Sequence, residues 1–178
     1  MLKRMRGFTL IELLIVVAII GILAALLIPN ALTAIQKAKQ KSTMKDLTTI
    51  STAIADYITD HGTAPTQDGT YDASAVFYDG LSPFYVKVLP ITDQWGTGFN
   101  AWCGTAADGN YGASGAGTDD FIISSYARDK IIEGFTFDPN NPESGLFLVD
   151  AMSDFNLDLV MWNGSWIRAP RTAAASGT

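Results

Sequence analysis

The sequence predicts an α+β protein in which one long N-terminal helix packs on a small antiparallel β-sheet. Three observations carry this: a 21-residue apolar run at 8–28, apolar side chains at three-and-four spacing that extend helix to residue 61, and a change of language after residue 62. From there on, short β-branched and aromatic runs alternate with Gly, Asp and Asn. With 178 residues the chain has room for one domain and an appendage, not for a large multidomain enzyme. It is 48% hydrophobic and 17% charged, but unevenly so, because the run at 8–28 carries one charge, Glu12.

Residues 1–7 read Met-Leu-Lys-Arg-Met-Arg-Gly and place three basic side chains ahead of the apolar run. As helix, 21 residues rise about 31 Å, enough to cross a bilayer. A cleaved secretory signal would have a shorter apolar core and a small-residue cleavage pair. Here Pro29-Asn30 opens directly into more helical pattern. An ordinary membrane anchor leaves Glu12 unexplained, since a carboxylate in hydrocarbon costs about 2.5–3.5 kcal/mol on insertion scales. A cut between Gly7 and Phe8 would create an amine four residues before Glu12, within reach along the helix or from a neighbouring subunit. Gly21 and Pro29 interrupt the pattern. Pro29 removes a donor and obstructs the carbonyl of Ala25, so the helix is expected to bend or locally unwind over 25–29.

Beyond Pro29, Leu47, Ile50, Ile54 and Tyr57 form the stripe of a helix buried on one face, with Lys45, Asp46, Thr48, Thr52 and Asp56 off it. Gly62 fits a C-terminal cap and Pro65 a stop, which makes His61 a polar residue of the last turn. Lys37, Lys39, Lys41 and Lys45 read as a solvated face, with charge contacts between stacked subunits as the other reading. Basic counts on the two sides of the span do not set its orientation. The expected strands are Phe84–Leu89, Phe121–Tyr126, Leu146–Val149, Leu157–Trp162 and Ser165–Arg168, with Asn163-Gly164 as a type I′ hairpin turn. Residues 108–120, rich in Gly, Ala and Ser, are expected to be a flexible surface loop, and 171–178 a disordered tail. The organisation is thus a leader at 1–7, a long helix at 8–61 (transmembrane stem 8–28, amphipathic half 29–61), a globular β domain at 62–170 and the tail.

The formal net charge is −6, and without the first seven residues 9 basic side chains face 18 acidic ones, which argues against nucleic acid as a primary partner. One cysteine, Cys103, excludes an internal disulfide and a cysteine-rich zinc site, and His61 is the only histidine. No Gly-x-Ser-x-Gly elbow, phosphate loop or His-Glu-x-x-His occurs, so no enzymatic activity is expected. The four tryptophans read as core or subunit packing rather than a sugar platform.

Lys-Arg-Met-Arg-Gly followed by Phe-Thr-Leu-Ile-Glu and an apolar run to Ile-Pro-Asn closely resembles the class III leader and N-terminal helix of type IV pilins and type II secretion pseudopilins. The resemblance implies a pilin fold, cleavage after Gly7 by a membrane prepilin peptidase, N-methylation of Phe8, and pairing of Glu12 with the amine of an adjacent subunit. It further implies a homopolymeric filament, drawn from the bacterial inner membrane by a platform protein and a cytoplasmic ATPase, with the C-terminal domain outside the cytoplasm. Leu89-Pro90 with Asp93-Gln94-Trp95-Gly96, and Ser125-Tyr126-Ala127-Arg128-Asp129-Lys130, resemble segments of major pseudopilins, except that Ala127 and Lys130 replace glycines and about twenty residues follow as an insertion. The same resemblance implies a calcium ion, with Asp129, Asp154 and Asp158 as candidate carboxylates and no other cofactor. Asp108, Asp119 and Asp120 form a rival acidic group. A major pseudopilin is the leading expectation, a type IV pilin for adhesion, motility or DNA uptake the first alternative, and a monomeric membrane-anchored binding domain the second.

Overall fold

The computed structural model describes residues 8–171, so the leader at 1–7, with Gly7, and the tail from 172 lie outside the described residues. Two compact units divide the chain, one ending at Lys37 and the other beginning at Ala38. Helix α1, Leu10–His61, contributes to both.

In the first unit, helical conformation runs unbroken through Gly21 and Pro29, so of the bend or local unwinding expected at 25–29 the unwinding does not occur. Side-chain donors supplement this stretch: Asn30 Nδ2 reaches the carbonyl of Leu26 at 3.4 Å and Thr33 Oγ1 that of Pro29 at 3.1 Å. The large apolar side chains from Leu10 to Ile28 are exposed, and among the described residues α1 alone is long and apolar enough to cross a membrane.

In the second unit, α1 turns Leu47, Ile50 and Ile54 fully into the core, the stripe expected from their spacing. Each such side chain contributes about 1.5–3 kcal/mol by leaving water. Gly62 takes φ +76° and donates to the carbonyl of Ile58 at 2.7 Å, closing the helix where a left-handed residue is needed. The strands are β1 Asp68–Thr70, β2 Asn100–Cys103, β3 Phe121–Ser125, β4 Leu146–Phe147, β5 Leu159–Trp162 and β6 Ser165–Pro170. They form one six-stranded sheet in the order β1-β2-β3-β5-β6-β4. All neighbours are antiparallel except β4, which pairs parallel with β6. The sheet is therefore mixed rather than wholly antiparallel, because residues 131–150 leave it and return along the free edge of β6. Asn163 and Gly164, at φ 47° and 83°, make the expected hairpin turn between β5 and β6.

Both sheet faces are buried. Ala101, Cys103, Phe121, Ile123, Leu159 and Met161 belong to the cluster that includes α1, while Trp102, Ile122, Val160 and Ile167 form a second cluster. That second face is covered by Ala107, Tyr111 and Ala113 and by Phe135 and Phe137 of the 131–150 segment. Residues 108–120 are thus partly core rather than a surface loop. Phe84–Leu89 forms no strand: prolines at 83 and 90 bracket it, and Phe84 and Val88 are 80% and 67% exposed. Strands β1 and β2 and the short helix α2, Val76–Leu81, lie where sequence periodicity shows no element.

Candidate functional site

Glu12 opens α1. Thr9 precedes the first helical residue, and its carbonyl accepts the amide of Leu13 at 3.3 Å. Its hydroxyl accepts the amide of Glu12 at 3.3 Å, while Glu12 Oε2 accepts the Thr9 amide at 2.9 Å and the Thr9 hydroxyl at 2.7 Å. This is a reciprocal capping box, Thr-x-x-Glu, and it satisfies two amides that a helix start leaves open. It places the carboxylate at the positive end of the helix dipole. Both contacts fall on Oε2, so Oε1 has no partner among the described residues. Phe8, just before the cap, is 78% exposed. The spacing Thr9-Leu10-Ile11-Glu12 is itself the signature of such a box.

The three aspartates expected to hold calcium have separate tasks. Asp154 Oδ2 accepts the amides of Asp150 and Ala151 at 2.9 and 2.7 Å, which holds its carboxyl below the usual carboxylate range. Asp129 Oδ1 accepts the amide of Ile131 at 3.2 Å. Asp158 is fully buried, and its Oδ2 accepts the Tyr111 hydroxyl at 3.0 Å and the Glu133 amide at 2.9 Å. Burial pushes its carboxyl up to about 6, a rise to which the charges of Glu133 and Asp129 add. Among the described residues no three His, Cys, Asp or Glu side chains converge so as to hold a metal. Calcium asks for six to eight oxygens, and here most carboxylate oxygens already accept protein donors.

Glu133, whose amide meets Asp158, is paired in turn with Arg168. Arg168 Nη2 and Nε meet Glu133 Oε1 and Oε2 at 2.5 and 3.0 Å, a bidentate pair. The guanidinium lies 4.7 Å from the ring centre of Phe135 and 5.4 Å from that of Phe147. Nearby, the amide of Phe137 donates to the carbonyl of Tyr111 at 2.8 Å, and Gly145 lies so close to Ile167 that a Cβ would fall 1.8 Å from its carbonyl oxygen. The 131–150 segment is thereby fastened to β5 and β6. Glu133, Arg168 and Tyr111 carry no local signal, because their side-chain partners lie 13 to 47 residues away.

Residues 2–28 match the prokaryotic N-terminal methylation motif. Type II secretion system core protein G of Vibrio cholerae is 34% identical over 137 residues, which span 66% of this chain and 93% of that protein. The chain belongs to the core protein G family of pseudopilins. The Aeromonas hydrophila core protein G is 34% identical over 104 residues, 53% of this chain and 70% of its own length. A type IV major pilin, PilA of Myxococcus xanthus, is 42% identical over 78 residues, 38% of this chain and 36% of its own. No solved structure is matched significantly.

For a pseudopilin, the Asp93-Gln94-Trp95-Gly96 turn has a structural task. Buried Asp93 accepts the amides of Trp95 and Thr97 on Oδ1, both at 2.9 Å, and the Ser125 hydroxyl on Oδ2 at 2.7 Å. Gln94 donates through its amide to Thr43 Oγ1 and through Nε2 to Asp46, both at 3.2 Å, which ties the turn to α1. Ala127 and Lys130 keep left-handed φ values of 53° and 63°, conformations that cost an L-residue about 1–2 kcal/mol. Cys103 is buried in the helix-facing cluster, where burial pushes its thiol up to about 12 and leaves it protonated at neutral pH. His61 stacks on Tyr57 with ring centres 4.0 Å apart.

Proposed function

We propose that this chain is a major pseudopilin, polymerising into a helical filament that serves protein export by type II secretion. The observation that carries the proposal is the lone carboxylate, Glu12, in the exposed apolar stretch from Leu10 to Ile28, in a chain that spans 93% of a core protein G. Exposed stems are stable in a bilayer and, once drawn out of it, only against one another. In this reading a prepilin peptidase cuts between Gly7 and Phe8, and Phe8 is N-methylated. The amine of Phe8 in a neighbouring subunit then pairs with the open Oε1 of Glu12, which sets axial register as stems leave the hydrocarbon. The β domain faces away from the cytoplasm, and work is supplied by an inner-membrane platform protein and a cytoplasmic ATPase.

The test is Glu12→Ala in the full chain. Membrane insertion and cleavage are expected to persist while filament yield and export of a reporter protein collapse. Normal filaments from this variant would remove the pairing from the reading. The identity to PilA over 78 residues supports a second reading as a type IV pilin. Deletion that abolishes surface pili but leaves export intact would select it.

A further inference from the structure

Among the described residues the only ion pairs are Arg168 with Glu133 and Arg171 with Glu143, so no lysine among them is in an ion pair. Residues 62–178 nevertheless carry fourteen acidic against five basic side chains, a net of −9. Lys41 and Lys45 are exposed on the solvent side of α1 and continue at helical spacing into exposed Thr48 and Thr52. The hydroxyls of Thr48, Thr49 and Thr52 are spent on the carbonyls four residues back, at 2.9, 3.0 and 2.9 Å. The threonine part of this stripe therefore offers little free donor capacity. Beside it runs an open groove of about 360 Å³, lined by Lys45, Thr48, Thr49, Thr52, Tyr85 and Val86 among others. Phe84, edge-on to Tyr85 with centroids 4.8 Å apart, stands exposed next to it.

We infer that this stripe of α1, from Lys41 to Thr52, with its groove, receives the acidic β domain of a second copy of this chain. The inference rests on the self-assembly proposed above and names a contact surface for it outside the stem. Charge complementarity selects the occupant: the unpaired lysines meet a domain of net −9, whereas two such domains approaching each other carry net charge of the same sign. Anionic lipid is the weaker fit. Lys41 and Lys45 come thirteen and seventeen residues after Ile28, more chain than a headgroup layer of about 5–8 Å takes up. The threonine part of the stripe and the exposed Phe84 suit protein contact rather than headgroups.

The test uses filaments of the full processed chain grown from mixed ¹⁴N- and ¹⁵N-labelled subunits, treated with a zero-length carbodiimide cross-linker and mapped by mass spectrometry. Mixed-isotope links from Lys41 or Lys45 to Asp or Glu within 62–171 are expected. The Lys41→Glu/Lys45→Glu variant should lower filament yield on the order of tenfold or more, with membrane level and cleavage unchanged. Filaments that form without these mixed-isotope links, or are undiminished in the variant, overturn this inference and leave the filament reading standing. Protection of the two lysines by anionic vesicles alone likewise overturns it, assigning them to lipid. If wild-type chains form no filament, the function proposed above fails first.

Discussion

Arg168→Met removes the guanidinium that holds the 131–150 segment on the sheet. The Arg168 and Glu133 side chains are 13% and 29% exposed and meet through two hydrogen bonds. A fully exposed ion pair contributes about 0.2–1 kcal/mol, whereas breaking a buried one costs about 3–5. At these exposures, with two aromatic contacts also lost, the expected cost is about 2–3 kcal/mol. For a domain of this size that lowers Tm by about 8–12 °C, at about 4 °C per kcal/mol. The assay is thermal unfolding of the full chain in detergent micelles, followed by tryptophan fluorescence, since Trp102 and Trp162 sit in the affected cluster. Glu133→Gln and the double variant complete a cycle, with a coupling of at least about 1 kcal/mol expected. Single losses below about 0.5 kcal/mol, or zero coupling, would refute the claim that this pair fastens the segment.

Gly145→Ala puts a methyl 1.8 Å from the Ile167 carbonyl oxygen, so a loss of about 2–3 kcal/mol and earlier proteolysis within 131–150 are expected; an unchanged cleavage pattern contradicts the packing. Asp158 has its carboxyl raised from 3.8 to about 6, so the folded protein binds its proton more tightly than the unfolded chain. That contribution is fully present below 3.8 and is lost as pH rises through about 6, so Asp158→Asn should flatten the pH dependence of Tm across this window. Parallel wild-type and variant curves would count against the buried carboxylate. Chelator is expected to leave Tm unchanged, because Asp154 and the Oδ2 atom of Asp158 already hold protein donors; a rise in Tm with added calcium would mean that Asp129 and the open Oδ1 of Asp158 recruit an ion.

By itself the sequence determined what depends on neighbours in the chain. The apolar run, the stripe of Leu47, Ile50 and Ile54, the cap at Gly62 and the Asn163-Gly164 turn are set by periods of three to four residues or by the φ angles of single residues. So is the Thr9–Glu12 box, whose partners stand three residues apart. The β-rich half was harder, because strands buried on both faces, such as β2 and β3, lose the polar alternation that marks a half-exposed strand. Phe84–Leu89 shows the converse: strand-like side chains between two prolines form no strand, with Leu89 in the core and Phe84 and Val88 in solvent. Long-range packing set the parallel pairing of β4 with β6, the place of the glycine-rich loop in the core, and the pairing of Arg168 with Glu133. Those arrangements join residues tens of positions apart, and the free energy that selects them exists only once the sheet has brought its second face together with the segment that covers it.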